Sequence, residues 1–214
     1  MKFKETKYGN LSNTIHSGDI ILNKLYQVDS LEGMPTRVFG SVLFDEVGIE
    51  SLEYSPKVVS GDFNVIYSSL RDLKYCPSAT NYNFKGNILH TMKGVPNQVN
   101  TLDVSNNLIV DLDGAPELVS NTIDLSNNPL LKSLKGNLSN VGYKLILKNC
   151  KSLKDVKGEI IRNKIKSAYY ETDEGNFTYI DIVEDIKAYV SMDNGVKSKG
   201  FRSLLGLKKW NLKI

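Results

Sequence analysis

Residues 101–131 read TLDVSNNLIVDLDGAPELVSNTIDLSNNPLL, so LDVSNN at 102–107 returns as IDLSNN at 123–128. A unit that recurs at a fixed short period is the mark of a stacked architecture, in which no single copy buries its apolar edge alone. Two rulers carry the period outward from this doublet. The first is proline: Pro35, Pro56, Pro77, Pro96 and Pro116 are spaced 21, 21, 19 and 20 residues apart. Each follows an apolar residue four positions earlier (Leu31, Leu52, Leu73, Met92, Leu112), and the frame continues without proline at Leu134 and Val156. The second is an alternating triplet: IIL 20–22, VLF 42–44, FNV 63–65, YNF 82–84, LDV 102–104, IDL 123–125 and LIL 145–147.

Alternation with period two sends Leu102 and Val104 to one side of a strand and Asp103 to the other. Copies of 19–22 residues leave no room for a strand, its turns and a helix of ~10–12 residues. Proline also lacks a backbone donor and pushes the residue before it into extended conformations. The stretches between strands are therefore expected to be extended and turn-like, with 3-10 pieces.

The spacing of Val99, Leu102, Val104, Asn107 and Ile109 resembles the leucine-rich repeat family, whose consensus is L-x-x-L-x-L-x-x-N-x-L. Ile123, Leu125, Asn128 and Leu130 follow it, with Ser120 departing at the first anchor. Leu145 and Leu147 follow it with Cys150 at the Asn position. The resemblance covers roughly residues 18–157. It implies an α+β architecture: a short curved solenoid of about seven repeats, a parallel sheet on the concave face and a mostly extended or 3-10 convex side. Asn87, Asn107 and Asn128 are expected to turn inward and bond neighbouring backbone.

The organisation expected is an N-terminal cap at 1–17, the solenoid at 18–157 and a C-terminal helical cap or tail at 158–214. In GEIIRNKIKSAYY, Ile161, Ile165 and Ala168 or Tyr169 fall at helical spacing. Thr178 and Asp181 form a helix-start signal, with Phe177 and Ile182 placed to staple across it. A last helix is expected over about 199–210. The tail reads either as a lid on the last copy, which an open-ended solenoid needs, or as a small module with its own role. After Asp193 come Lys197, Lys199, Arg202, Lys208, Lys209 and Lys213 with no acid among them, and Trp210 sits inside the cluster. That basic segment is either one solvated face of a helix or a contact for nucleic acid or an acidic partner.

Chemistry-bearing motifs are absent: no phosphate-binding loop, no H-E-x-x-H, no G-x-S-x-G. The two cysteines, Cys76 and Cys150, and the two histidines, His16 and His90, are isolated, which excludes a zinc-type set and a disulfide framework. No metal, cofactor or catalytic residue is expected, and the chain reads as a non-enzyme. Proline-bearing repeats of 20–22 residues are also similar to those of bacterial effector proteins, some of which carry a ligase domain with a nucleophilic cysteine. The tail here has no cysteine. LEGMP, MKGVP and LDGAP, with GDFN at 61–64 and the compact tail, resemble short leucine-rich repeat proteins of large tailed bacteriophages. That likeness implies an inhibitor-like protein acting in a host–virus interaction by binding a host protein; the alternatives are binding of nucleic acid or an acidic partner through the basic C-terminal helix, and a structural virion component. A net charge of +3 does not call for a polyanion. The polar start MKFKETKYGNLSN lacks a secretory core, and no run nears the ~20 apolar residues of a membrane span. A cytoplasmic protein is expected, in the host cell if phage-encoded.

Period two maps the partner-binding face. Ile21, Leu43 and Ile66 are apolar on adjacent strands, either a contact patch or a surface covered by residues 1–15. Asp45, Asp62, Asp103 and Asp124 are expected to form an acidic track that ends at Lys144 and Lys148. Asn64 and Asn83 lie on the same face. Such a track repels phosphates and suits a partner protein with basic groups.

Overall fold

The computed structural model describes residues 1–178, 181 and 182. Within them the chain is a parallel β-solenoid of about seven turns. The strands Ile20–Leu22, Val42–Asp45, Phe63–Ile66, Asn81–Asn83, Thr101–Asp103, Thr122–Asp124 and Asn140–Leu147 pair side by side in chain order, all parallel. These contain the seven alternating triplets, with shifts of one residue at some ends, and the last strand begins five residues before its triplet at 145–147. Their inward pairs are buried throughout, from Ile20 and Leu22 to Leu145 and Leu147. The frame residues Leu31, Leu52, Leu73, Met92, Leu112 and Leu134 close the same core from the opposite side.

A second, shorter rail of strands precedes the first in most copies, reduced to a single bridge at Ser78 before Asn81–Asn83. Ile15–Ser17, Arg37–Phe39 and Val58–Val59 form a three-stranded parallel sheet, and Gln98–Val99 pairs with Leu118–Val119 farther along. Between the rails and the preceding strand each copy turns through a tight bend. In five copies it is closed by an amide bond to a carbonyl three residues back: Met34 to Leu31, Ser55 to Leu52, Cys76 to Leu73, Val95 to Met92 and Ala115 to Leu112. The prolines follow directly after these bends. No helix, α or 3-10, is found among residues 18–155, so the 3-10 pieces expected there are absent.

The SNN pair has a division of labour. Asn106 and Asn127 take left-handed backbone, φ +54° and +57°, which Asn tolerates better than most residues. The second Asn of each pair turns inward. Asn107 accepts from the Leu89 amide (3.0 Å) and donates to the Phe84 and Val104 carbonyls, 2.9 and 3.1 Å. Asn128 repeats this one copy on, with Ile109, Val104 and Leu125, and Asn87 one copy back, with Leu70, Val65 and Phe84. Each amide thus ties its own loop to the copy before it. Cys150 keeps only a thiol donor, to the Leu125 carbonyl at 3.3 Å. At the last anchor Leu131 is buried and Leu130 is 44% exposed, because Pro129 shifts the frame by one residue.

The helical reading of 158–170 holds only in part. An α-helix covers Val156–Arg162, and then the chain turns at Asn163 and at Lys164, whose φ is +55°. Lys166–Thr172 is a strand that adds an eighth parallel member beside Asn140–Leu147, and Gly175–Thr178 returns antiparallel to it. Tyr170 is fully buried, its hydroxyl accepting from the Ser167 amide and donating to the Ile165 carbonyl. Thr178 and Asp181 do form the expected reciprocal cap, with Thr178 N to Asp181 Oδ2 at 2.6 Å and Asp181 N to Thr178 Oγ1 at 3.3 Å. The helix expected over 199–210 lies outside the described residues.

At the other end, residues 1–14 clamp onto the first copy. Phe3 is buried and its amide bonds the Ser30 carbonyl at 2.8 Å. Lys2 and Lys4 both pair with Glu32, and these bonds pull its carboxyl down to about 2. Tyr8 stacks on Phe3, and its hydroxyl accepts from the amide of Ile21 at 2.8 Å on the open edge of the first long strand.

Candidate functional site: the outward face of the long sheet

Strand register decides which of the outward side chains meet. One row across the face reads Ile21, Leu43, Asn64, Asn83, Asp103, Asp124, Ile146 and Glu171, each opposite the next. Ile21 and Leu43 are therefore direct neighbours. Ile66 pairs with Asp45 and stands diagonally across from Leu43. Ile21 is 45% exposed, while Leu43 and Ile66 are half-buried. The N-terminal segment meets Ile21 at its backbone through Tyr8 and packs otherwise against the edge of the stack.

The acidic track is broken into pieces. Asp62 accepts from Asn81 Nδ2 at 2.7 Å and belongs to a ladder of polar strand starts: Asp19 accepts from the Ser41 amide, Ser41 Oγ from the Asp62 amide. Asp45 faces an isoleucine. Only Asp103 and Asp124 are directly opposite each other. Each spends one carboxylate oxygen on the amide two residues on, Ser105 and Ser126, both at 2.8 Å. Asn83 does the same for the Lys85 amide at 3.1 Å. Burial pushes the Asp124 carboxyl up, the like charge of Asp103 adds to it, and the Ser126 bonds work against it.

The basic end is also altered. Glu171, on the eighth strand, accepts from Lys148 and from Lys144 (3.2 Å), and these two cations hold its carboxyl below the usual range. Lys144 and Lys148 are therefore paired within the sheet.

Several participants were hidden in the sequence. Tyr67 lies over Gly86, where a Cβ would come within 2.4 Å of its ring, and Lys85 Nζ sits 5.9 Å from the ring centroid. The Lys85 ammonium is raised by the Tyr67 hydroxyl and, farther off, by Asp103 and Asp124. Tyr143 and Tyr169 meet edge to face at 5.6 Å beside Glu171. The signal for the last pair was the Tyr-Tyr-Glu-Thr alternation at 169–172, masked by helical spacing upstream.

Burial raises the thiol of Cys76 strongly and that of Cys150 to about 11, so both stay protonated at neutral pH and are poor nucleophiles. Among the described residues no three of His, Cys, Asp and Glu converge into a metal set, and no helix is long and apolar enough to cross a membrane. Lys197, Lys199, Arg202, Lys208, Lys209 and Trp210 lie outside the described residues. Compared with known proteins, the chain matches no family model, no curated protein and no solved structure.

Proposed function

We propose that the solenoid is of the leucine-rich repeat type, closed by a C-terminal cap over 158–214, and that it is a non-enzymatic protein-binding module. In this reading it is phage-encoded, works in the host cytoplasm, and blocks or redirects a host protein through the outward face of the long sheet.

One observation carries the reading: Asp103 and Asp124 stand directly opposite on a half-buried face, against the tendency of like charges in facing strand positions to destabilise a sheet. A basic group of a partner, placed over the pair, neutralises that repulsion, and the apolar Ile21–Leu43 step beside Ile66 supplies contact area. The Asn ladder supports the repeat-type assignment.

The test is affinity purification from bacterial lysate with the wild type, with Asp103→Lys/Asp124→Lys and with Leu43→Arg, circular dichroism confirming each fold. A specific protein is expected with the wild type and at least about tenfold less of it with the charge reversal, since close charge pairs couple by about 1.5 kcal/mol or more. Equal recovery by all three sinks the assignment of this face.

A further inference from the structure

The basic segment near the C-terminus has no role in the reading above. The chain carries a net charge of +3, and residues 194–214 hold six cations with no acid, so residues 1–193 carry −3. One chain therefore joins an acidic body to a basic end. Charge of one sign gathered in a terminal segment is the pattern of an interaction tail.

The body's acidic excess has a place on the outward face of the long sheet, at Asp45, Asp62, Asp103 and Asp124. The cations of that face are engaged elsewhere: Lys85 sits over the Tyr67 ring, and Lys144 and Lys148 pair with Glu171. Among the described residues no cation forms an ion pair with any of the four aspartates.

The basic end comes off the same sheet. Gly175–Thr178 is the last strand of the long sheet, and the described chain stops shortly after it, at Ile182. Counted from that strand, Asp124 lies three strands inward and Asp103 four, about 14–19 Å at ~4.8 Å per strand. The fifteen residues from Ile182 to Lys197 bridge ~22 Å even at the 1.5 Å rise of a helix, and more when extended. The order of features also agrees. Along the face the aspartate pair comes first, and Ile66, Asp45 and Leu43 follow two to three strands farther on. Along the segment Lys197, Lys199 and Arg202 come first, and Leu204, Leu205, Lys208, Lys209 and Trp210 follow.

We propose that residues 197–214 dock in cis across the outward face of the long sheet. Lys197, Lys199 and Arg202 meet Asp103 and Asp124, and the apolar residues after them meet Leu43 and Ile66. The segment holds the face until a partner displaces it, so the chain's own end regulates binding. This rests on the reading of that face as a docking surface.

Trp210 is the chain's one tryptophan, so its fluorescence reports the segment in the full-length protein without a label. Protection from acrylamide quenching is expected at low salt. It should be lost in about 1 M sodium chloride, where exposed charges are screened beyond ~3 Å. Asp103→Lys/Asp124→Lys should raise the quenching constant severalfold, and so should Lys197→Glu/Lys199→Glu/Arg202→Glu. The two sets combined should restore protection, which separates a charge contact from a loss of fold. Carbodiimide coupling of the wild-type monomer, read by mass spectrometry, should join a lysine of the segment to Asp103 or Asp124. Equal quenching in wild type and both charge variants, or no rescue in the combined variant, overturns the proposal. Couplings found only in cross-linked dimers overturn the assignment in cis. Capture of a partner from lysate decides the other reading separately. A partner held through the face with Trp210 indifferent to the charge changes leaves that reading and overturns this one. Protection lost on charge reversal with no partner captured supports this one alone.

Discussion

The middle of the stack, residues 81–131, and its first copies, residues 20–78, have the same architecture held by different means. In the middle, left-handed positions carry Gly86, Gly94, Asn106, Gly114 and Asn127, and buried amides tie copy to copy. In the early copies the left-handed positions carry Glu46, Tyr54, Tyr67 and Tyr75 as well as Gly33 and Gly48. The ladder position holds Val47, fully buried, and Ser68, half-buried. There the core carries the rings of Phe44 and Phe63, and Phe63 meets Phe84 of the middle edge to face at 6.1 Å. The regular region obeys local preferences at nearly every step. The early region departs from them repeatedly, and the apolar step of the long sheet lies in it.

The largest effect that can break this contrast is on the ladder. Asn107→Ala removes an acceptor from the Leu89 amide and a donor shared by the Phe84, Val104 and Ser105 carbonyls, leaving buried backbone unpaired, and should cost about 1–3 kcal/mol in urea unfolding. Ser68→Ala, at the equivalent early position, loses one bond to the Ile66 carbonyl on a half-buried residue and should cost clearly less. Equal losses would mean that the two regions are held alike.

Next comes the strained bend. Tyr75→Gly relieves the left-handed penalty of about 1–2 kcal/mol and loses about 0.5–1 kcal/mol to the greater freedom of glycine in the unfolded chain. The thermal midpoint should stay level or rise. A clear fall would show that Tyr75 supports the fold.

The smallest effect tests the acidic pair. Asp124→Asn keeps an oxygen for the Ser126 amide and removes the charge that faces Asp103. The Asp124 carboxyl is raised in the folded state, so the folded chain holds its proton longer than the unfolded chain. Stability is thus lost as pH rises through the ordinary Asp range and regained as pH falls. The variant should be slightly more stable than wild type at neutral pH, and the gap should close in acid. A gap that widens in acid contradicts the repulsion.

Much of this was legible in sequence order because it rests on local rules. The inward pairs follow from period two, and the bends from the proline frame. Leu130 misled because Pro129 displaces the anchor by one. Lys166–Thr172 was obscured because Ile161, Ile165 and Ala168 satisfy helical spacing, and only the left-handed Lys164 breaks the run. The face itself was less readable. Whether Asp45 meets Ile66 or another acid depends on register between copies of unequal length, and Glu171 reaches Lys144 and Lys148 only across a strand that the helical pattern concealed.

Tyr8 has a consequence beyond the first copy. Parallel coils stacked in register have no intrinsic reason to start anywhere, and an open first strand is a template on which another chain can continue the count. By placing a phenol oxygen where the carbonyl of a preceding strand would go, against Ile21 N, the protein gives its array a first member and makes the number of coils a property of one molecule.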